Sequence, residues 1–392
     1  MKRCWCGNEA LEEYSSAYCT CRRCHTLVSK SEFDNLIYHI DDEENDLYGR
    51  NYWEKTMMEE AGLSSVDEII DLYLRERAVY WLEYLLKYLP LHGKVAEVGC
   101  GLGQLAYLMK QLEFRQRAYE LSPDICRYVR RELGIDIVST PFEEAKEQYD
   151  AVLSFDVVEH ILEPQAFIAN CVRHLEDGGV LCIQTPCYDE ELSYDEMCGR
   201  KPRFRNLLVE DQHIYLYSKA SMRELLKAAG VEYIQFLPAF FGDDYDMFLV
   251  ASRKPLRVNS DREIEEFLNG TPNGRLVKAM LAMSRENRNL TARFQTAEQN
   301  STARMEQVET LTALLKTSEA DRAARYEQIL ELTKLIKESE AGRAAEREQI
   351  EVLTKQLTES EADRAAGREQ IGLLTRQLKK EKHIAHRNWN RK

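Results

Sequence analysis

A strand that runs into three closely spaced glycines constrains the fold of this chain more than any other feature. Residues 94–104 read KVAEVGCGLGQ, and the apolar strand at the start of this stretch leads to Gly99, Gly101 and Gly103. In the residues that follow, 105–112, the apolar side chains recur at helical spacing. Glycines in such a turn allow positive φ angles and let a ligand approach the main chain. The sequence therefore predicts a strand, a glycine turn and a helix that form part of a ligand site in an α/β fold.

The spacing of the glycines separates this turn from other nucleotide-binding loops. A dinucleotide fingerprint has its third glycine three residues after the second, and Gln104 stands there instead. A P-loop needs Gly-Lys-Ser/Thr, which this turn lacks. The remaining pattern, Glu97 followed by GxGxG, resembles the first motif of class I S-adenosylmethionine (SAM)-dependent methyltransferases. The resemblance implies that Glu97, the three glycines and Gln104 contact SAM.

Strands and helices alternate over residues 93–253, which indicates a wound, largely parallel sheet. The second strand ends at Glu120 and Leu121, about 20 residues after the glycine turn. A carboxylate at this position can accept both ribose hydroxyls of an adenosine cofactor. Phe142 follows the third strand, where methyltransferases hold the adenine ring, and it either stacks on that ring or fills the core.

The fourth strand carries the second strong motif, YDAVLSFDVVEHILEP at residues 149–164. It resembles the FDxVxxxxVLEHVxDP stretch of ubiquinone-biosynthesis and related small-molecule methyltransferases. The strand ends at Phe155 and Asp156, at the carboxyl edge where open α/β sheets bind ligands, so both are predicted to line the cofactor pocket. A Gly-Gly turn and a fifth strand follow at 175–186, as in that family. Together these motifs imply a Rossmann-like, seven-stranded class I methyltransferase core over residues 93–254.

Two histidines fall at ligand-facing edges of the predicted sheet. His160 follows the fourth strand, and His213 lies in a later DQHIYLYS element that resembles the HxxxFS element of the same family. Transfer of a methyl group to a hydroxyl requires removal of its proton, and histidine suits this task because its pKa lies near neutrality. Each histidine is therefore a candidate catalytic base. The alternative for both histidines is a structural role. His160 would then brace the start of a helix, and His213 would hydrogen-bond the segment that covers the acceptor.

Residues 31–92 form a predicted helical lead-in to the core. They include an aromatic cluster, YGRNYW at 48–53, and a long amphipathic helix at 66–89. In related methyltransferases a similar segment, with an arginine ahead of the first strand, closes over the amino-acid end of SAM. The resemblance implies that Tyr52 and Arg77 contact the cofactor. The simpler alternative is that the helix only packs on the edge of the sheet.

Residues 1–30 hold a CxC pair and a CxxC pair of cysteines separated by a short, hairpin-like insert that contains Cys19. Thiolates suit a closed tetrahedral zinc site. So short a segment has too little apolar surface to fold unless a metal ion cross-links it. Many SAM-dependent methyltransferases that act on sugars or small molecules begin with a similar ribbon. The sequence therefore predicts a small zinc ribbon, with unligated cysteines as the alternative. The predicted zinc ligands are Cys4, Cys6, Cys21 and Cys24.

Beyond a linker at 255–288, the composition shifts to Glu, Gln, Ala, Arg, Leu and Thr, and a three-heptad repeat begins at Ser318, Ser339 and Ser360. The apolar residues of each repeat fall at a and d positions with a period of 3.5, which indicates a left-handed coiled coil over 289–381. A helix of this length would extend about 140 Å. With no other long helix of matching pattern in the chain, we expect the coil to associate with copies of itself, as a parallel dimer or trimer.

The formal net charge of −14 over 392 residues disfavours a general nucleic-acid binder. Apolar runs fall short of the roughly 20 residues that cross a bilayer, and the N-terminus lacks a signal-peptide core, so a cytoplasmic protein is expected. In that reducing compartment the 11 cysteines serve metal or packing roles rather than disulfides. The basic tail at 382–392 is either solvated or contacts a partner or the anionic inner membrane surface.

These features together predict a SAM-dependent methyltransferase whose acceptor is a sugar, a glycan end or another small hydroxylated molecule. A methyltransferase head on a long coil resembles the architecture of bacterial O-antigen chain-terminating methyltransferases, which implies a polysaccharide-assembly partner. The alternative is a catalytically silent head on a coiled-coil scaffold. The intact glycine turn and Glu120 favour the enzyme, because an unused site has no physical need of either. Gln104 argues against a nicotinamide-dependent enzyme.

Overall fold

The computed structural model describes residues 3–33, 40–44, 46, 48–58, 62–242, 245–339 and 345–389. The chain divides into two compact units, Met1–Glu286 and Asn287–Lys392. The strands are β1 (Leu11–Glu13), β2 (Tyr18–Cys21), β3 (Leu27–Ser29), β4 (Lys94–Val98), β5 (Arg115–Tyr119), β6 (Ile137–Val138), β7 (Tyr149–Phe155), β8 (Leu175–Pro186), β9 (Tyr215–Leu216), β10 (Tyr233–Leu237) and β11 (Asp246–Ser252). The helices are α1 (Val66–Tyr73), α2 (Val79–Leu85), α3 (Gln104–Gln111), α4 (Pro123–Leu133), α5 (Pro164–Arg173), α6 (Tyr194–Arg200), α7 (Lys219–Ala228), α8 (Asp261–Asn269), α9 (Pro272–Ser339) and α10 (Ala345–Trp389).

The core of the first unit is a seven-stranded mixed sheet with the order β10-β11-β8-β7-β4-β5-β6. The five strands from β8 to β6 in this order pair in parallel, whereas β11 runs antiparallel to both β8 and β10. This sheet confirms the Rossmann-like α/β core predicted from the sequence. The chain leaves β4 towards β5 and later returns on the other side of β4 as β7, so the strand order reverses beside β4. Open α/β sheets bind ligands at the carboxyl edge beside such a reversal.

Local sequence signals account for the elements that frame this edge. In α4, Ser122 caps the N-terminus by accepting from the Ile125 backbone N–H, and Pro123 occupies the first turn. Gly134 ends the helix with a φ of 62°, which glycine adopts at little cost. The helix predicted over 66–89 ends earlier, at Leu85, and it contains a π-helical turn at Leu74–Ala78 between α1 and α2.

The N-terminal segment forms a second, smaller sheet with the order β1-β2-β3-β9. Strand β9 belongs to the segment after the large sheet's β8, and its antiparallel pairing with β3 joins the ribbon to the rest of the first unit. At the tip of the ribbon, the Sγ atoms of Cys4 and Cys24 lie 3.5 Å apart and those of Cys6 and Cys21 lie 3.6 Å apart. All four sulfurs lie within 4.8 Å of one another, and Cys19 does not belong to this group.

The second unit differs from the coil expected over 289–381. Helix α9 ends at Ser339 and α10 begins at Ala345, and the two helices contact each other. Nη2 of Arg364 donates to the main-chain oxygen of Arg322 at 3.3 Å, and Arg325 and Asp363 form an ion pair at 3.7 Å. A straight helix would separate residues 325 and 363 by about 57 Å. The expectation that the chain offers no second long helix for the coil to pack on is therefore wrong.

The repeat itself explains this hairpin. The three-heptad period that aligns two copies in parallel also gives one copy two segments with matching apolar stripes. The half-buried side chains of α10 fall at a and d positions, at Ile350, Leu353, Leu357, Ile371, Leu374 and Leu378. Residues 340–344 lie outside the described residues.

None of the helices in the described part of the chain is long and apolar enough to cross a membrane. The basic tail predicted at 382–392 continues α10 as far as Trp389, and residues 390–392 lie outside the described ranges.

The contact between α9 and α10 predicts which pairs of introduced cysteines can form a disulfide within one chain. Because all native cysteines lie at or before residue 198, Arg325→Cys with Asp363→Cys places the introduced pair alone in that unit. We expect mild oxidation to give an intrachain disulfide between positions 325 and 363, detected by peptide mass spectrometry. The pair Arg325→Cys with Arg376→Cys, about 20 Å further along α10, is the control and should not cross-link within a chain. Interchain 325–325 disulfides would instead indicate a parallel coil and contradict the hairpin.

Candidate functional site

A cavity of about 590 Å³ opens at the carboxyl edge of β4, β5 and β7. Most of the site residues predicted from the sequence line it, although their positions span more than 100 residues of the chain. Among the described residues, two predicted members, Gly103 and His213, do not belong to the lining. Those that line it are Tyr52, Arg77, Glu97, Gly99, Gly101, Gln104, Glu120, Leu121, Phe142, Phe155, Asp156 and His160.

The glycine turn has the backbone that its sequence predicts. Gly99, Gly101 and Gly103 have φ angles of 69°, 51° and 71°. A Cβ at Gly101 would collide with the ring of Trp53, which also lines the cavity. Gly103 instead forms the N-cap of α3. Trp53 was missed as a site residue, although it belongs to the aromatic YGRNYW cluster that signalled Tyr52.

Glu120 holds the glycine turn at the end of β5. Its Oε2 accepts a hydrogen bond from the Gly101 N–H at 3.0 Å, and its Oε1 accepts from the Ser122 N–H at 3.2 Å. Burial raises the pKa of this carboxyl, and these two N–H donors oppose the rise by stabilising the carboxylate. The carboxylate is therefore aligned with the turn and exposed to the cavity from one side.

Two buried polar atoms beside the turn have no hydrogen-bond partner among the described residues. They are Oε2 of Glu97 and Nε2 of Gln104, and both side chains line the cavity. An unsatisfied buried polar atom costs about 1–3 kcal/mol. Burial raises the pKa of Glu97 to about 8. A polar ligand group that pairs with these atoms would remove this cost, so the wall is suited to a ligand with both donors and acceptors.

Asp156 directly follows β7 and lies in the left-handed region, with a φ of 54°, which is uncommon for a residue other than glycine. Its Oδ1 accepts from Nε2 of Gln184 at 2.9 Å, and its Oδ2 lies 3.4 Å from Nη1 of Arg77. The Arg77 guanidinium lies 4.7 Å and 4.6 Å from the ring centroids of Tyr73 and Phe241. These contacts hold the only predicted arginine of the site at the rim of the cavity, paired with Asp156.

Phe142 fills the core, as one of the two sequence interpretations proposed. It is buried, and its ring centroid lies 4.9 Å from that of Tyr119 and 5.0 Å from that of His174, within the core. It also forms part of the cavity wall. An aromatic wall next to Glu120 suits a flat ring bound beside a ribose.

The rings of His160 and His213 lie side by side, with centroids 5.0 Å apart, and of these two only His160 lines the cavity. Nδ1 of His160 lies 2.9 Å from the carbonyl oxygen of Gln212 and 2.9 Å from the Tyr48 hydroxyl. Nδ1 of His213 lies 2.7 Å from the carbonyl oxygen of Leu207. Because a carbonyl oxygen only accepts, Nδ1 carries the proton in each ring. Burial lowers the pKa of His160 to about 3 and also lowers that of His213, so both imidazoles are neutral near pH 7.

The cysteine ribbon supports the segment that carries His213. The Tyr18 hydroxyl donates to the carbonyl oxygen of His213 at 2.9 Å, and the Ser29 hydroxyl donates to that of Glu210 at 2.6 Å. The Ser29 N–H also donates to the carbonyl oxygen of Ile214 at 2.9 Å. The N-terminal sheet, some 190 residues away in the sequence, is thus hydrogen-bonded to the segment that carries His213.

A comparison with protein families matches residues 70–235 to a family described as a methyltransferase domain. The matched range covers every strand from β4 to β9 and begins just before the π-helical turn that carries Arg77. This match confirms the methyltransferase domain that the glycine turn and the β7 motif predicted.

Curated relatives share the same part of the chain. Ubiquinone biosynthesis O-methyltransferase of Xylella fastidiosa (strain 9a5c) is 29% identical over 114 residues, covering 26% of this chain and 46% of the relative. The enzyme of the same name from Xanthomonas oryzae pv. oryzae (strain PXO99A) is 33% identical over 114 residues, covering 26% and 48%. The chain thus spans about half the length of the curated relatives it matches.

Solved structures with a similar backbone include magnesium protoporphyrin IX methyltransferase (ChlM) from Synechocystis PCC 6803 with bound SAH. It has a TM-score of 0.37 and 17% identity and covers 52% of this chain and 98% of its own. Streptomyces venezuelae DesVI has a TM-score of 0.37 and 17% identity and covers 48% and 99%.

The raised pKa of Glu97 predicts how stability depends on pH without ligand. The carboxyl stays protonated in the folded chain up to about pH 8 but ionises in the unfolded chain above its ordinary value of 4.5. Unfolding therefore becomes easier as pH rises through this window. We expect the free energy of unfolding to decrease less steeply with pH in Glu97→Gln than in wild type, by up to about 1.4 kcal/mol per pH unit.

Urea denaturation between pH 5 and 8 measures this slope, with the exposed Glu144→Gln as the control. An unchanged slope in Glu97→Gln would mean that Glu97 is ionised in the folded chain.

Proposed function

We propose that this chain binds SAM in the cavity at the carboxyl edge of the large sheet and transfers its methyl group to a hydroxyl of a small acceptor. The observation that carries the proposal is the meeting of the glycine turn and Glu120 in one cavity, joined by the bond from the Gly101 N–H to Oε2. The family match and the O-methyltransferase names of the curated relatives support the same reaction class.

The residues of the cavity fit the parts of SAM. Glu120 offers carboxylate oxygens to ribose hydroxyls, and Phe142 offers an aromatic face for an adenine ring. The unsatisfied Oε2 of Glu97 and Nε2 of Gln104 provide an acceptor and a donor for the ammonium and carboxylate of the amino-acid part. Tyr52 and Arg77 also line the cavity.

Bound SAM supplies a sulfonium-activated methyl group, so the chain's own work is to align the acceptor and help its hydroxyl lose a proton. His160 and His213 are the proposed acceptor-side residues, because His160 lines the cavity, the His213 ring lies 5.0 Å from it, and both imidazoles are neutral near pH 7. Their anchored Nδ1–H groups leave Nε2 as the nitrogen with a lone pair. The acceptor class we propose is a sugar, a glycan end or another small hydroxylated molecule.

We further propose that Cys4, Cys6, Cys21 and Cys24 hold a structural zinc ion. The four sulfurs lie close enough to bind one ion, and four thiolates leave no open position for catalysis. The ion would stiffen the ribbon whose Tyr18 and Ser29 hold the His213 segment.

For the second unit we propose association with further copies, which would cover a and d side chains that the hairpin leaves accessible. Leu315 and Leu332 at such positions are still 38% and 37% exposed. In this proposal the unit spaces or gathers the enzyme in a cytoplasmic assembly, such as one that makes polysaccharide, and the basic tail contacts a partner or the anionic inner membrane surface.

SAM binding is tested by Glu120→Ala. Loss of a hydrogen bond to a charged group should weaken SAM binding by about 1.5–3 kcal/mol, measured by isothermal titration calorimetry. Glu144→Ala removes an exposed carboxylate that does not line the cavity and serves as the control, with affinity expected to stay near the wild-type value. Equal SAM affinity in wild type and Glu120→Ala would refute the assignment of the cofactor site.

Methyl transfer itself is tested with labelled SAM and a panel of nucleotide sugars, glycan oligomers and small dihydroxy compounds, read by intact mass. A product heavier by one methyl group supports the enzyme. SAM binding without transfer to any acceptor class would favour the silent-head alternative.

The zinc site predicts about one zinc ion per chain by metal analysis. Cys21→Ser should lose the ion, because a closed thiolate site needs all four ligands, whereas Cys19→Ser should keep it. Loss of zinc in Cys19→Ser with retention in Cys6→Ser would show that the ligand set is wrong.

A further inference from the structure

The first turn of α4 is in contact with a carboxylate from far earlier in the chain. Oε1 of Glu43 accepts a hydrogen bond from the Asp124 N–H at 2.8 Å, and its Oε2 accepts from the Ser122 hydroxyl at 2.7 Å. A carboxylate is stabilised at a helix N-terminus by the unpaired N–H groups and by the helix dipole. Because the side chain of Ser122 already caps α4, the helix does not need Glu43 in order to begin, and the contact chiefly fixes the position of Glu43.

The chain folds back closely on itself between Glu43 and Asn51. The Asn51 N–H donates to the carbonyl oxygen of Glu43 at 3.3 Å, and the Arg50 N–H donates to Oε2 of Glu43 at 3.0 Å. A Cβ at Gly49 would lie 2.6 Å from the same carbonyl oxygen, so this close approach needs glycine. Nη1 of Arg50 also forms an ion pair with Oδ2 of Asp124 at 3.5 Å. Both Glu43 and Arg50 therefore bind this stretch of chain to α4.

Residues 48–57, here called the aromatic segment, form one wall of the cavity. The side chains of the aromatic segment that line the cavity are Tyr48, Tyr52, Trp53 and Met57. The rings of Tyr52 and Trp53 are in edge contact, with centroids 5.1 Å apart. The Trp53 ring lies so close to the glycine turn that a Cβ at Gly101 would be 2.4 Å from its nearest atom. The aromatic segment therefore packs directly on the glycine turn.

The indole nitrogen of Trp53 is a buried donor. Its Nε1 has no hydrogen-bond partner among the described residues, and an indole N–H only donates. Nε2 of Gln104 is a second such donor in the same cavity lining. A ligand group with two acceptor oxygens, such as a carboxylate, would satisfy both donors.

We propose that Glu43 is a positioning residue of the cofactor site. The inference rests on the proposed SAM binding and deepens it. Glu43 does not line the cavity, so it acts through the aromatic segment. By binding the first turn of α4 it holds Trp53 against the glycine turn, where the indole N–H donates to the carboxylate in the amino-acid part of SAM.

Ser122 connects this contact to the proposed ribose site. Its N–H donates to Oε1 of Glu120 at 3.2 Å, while its hydroxyl donates to Oε2 of Glu43 at 2.7 Å. One residue thus orients both the carboxylate of Glu120 and the start of the aromatic segment. Because the Trp53 ring covers Gly101, we expect SAM to leave the cavity more easily when the contact between Glu43 and α4 is absent.

The first measurement is hydrogen–deuterium exchange of the full-length protein without ligand, read by mass spectrometry. Glu43→Ala removes both side-chain contacts with α4, whereas Glu43→Gln keeps one side-chain oxygen that accepts. The control is Glu44→Ala, since the exposed Glu44 side chain forms an ion pair with Arg50 at 3.1 Å rather than with α4.

We expect exchange in the aromatic segment to be at least about tenfold faster in Glu43→Ala, because hydrogen bonds to a charged group that oppose local opening are lost. The increase should be smaller in Glu43→Gln and absent in Glu44→Ala. Peptides covering 94–104 should exchange as in wild type.

The second measurement is the rate of SAM dissociation, followed by stopped-flow tryptophan fluorescence. Trp53→Phe identifies the part of the signal that comes from Trp53. We expect the dissociation rate to rise about tenfold in Glu43→Ala, to be partly restored in Glu43→Gln and to stay at the wild-type value in Glu44→Ala. The melting temperature of each variant should stay near that of wild type.

Equal exchange of the aromatic segment in Glu43→Ala and wild type would overturn the proposal. A loss of protection confined to 123–133 would do the same, since Glu43 would then only cap α4. Faster exchange with an unchanged dissociation rate of SAM would also overturn it, because the aromatic segment would then not hold the cofactor. If Glu43→Ala fails to fold, Glu43→Gln decides by the same two measurements. Wild-type protein that does not bind SAM would instead refute the proposed function, while exchange without ligand still decides whether Glu43 holds the aromatic segment.

Discussion

The position of β4 between β5 and β7 is the constraint on which the rest of the first unit depends. Val98 at the end of β4 pairs with Tyr119 on one side and Ser154 on the other, so the turns after all three strands meet at one edge. The Gly101 N–H then reaches the carboxylate of Glu120. Without this strand order, the glycine turn, Glu120 and Asp156 would not share a cavity.

The pairing of β3 with β9 links the N-terminal ribbon to the same site. Backbone and side-chain bonds from Tyr18 and Ser29 hold the segment from Glu210 to Ile214, and His213 lies in that segment. Stabilising the ribbon therefore bears on the geometry of the acceptor site and not only on folding.

The heptad repeat of the second unit requires that its helices pack on a partner helix, but it does not determine which helix that partner is. A heptad stripe requires an apolar partner helix, and a second copy or a second segment of the same copy meets that requirement equally well. The contacts of Arg364 with Arg322 and of Asp363 with Arg325 select the segment in the same chain. Side chains such as Leu332 stay partly exposed, which leaves room for association beyond the hairpin.

Sequence by itself determined the parts of this protein that depend on local chemistry. The glycine turn, the capped helix α4, the alternation of strands and helices, and the cysteine spacing all follow from residues near one another in the chain. Only the tertiary structure decided what distant residues do together. It brought Trp53 onto Gly101, paired Arg77 with Asp156, and placed Glu159 beside two histidines separated by 53 positions. Such contacts depend on strand order and long-range packing, which leave no periodic or spacing signal in the sequence.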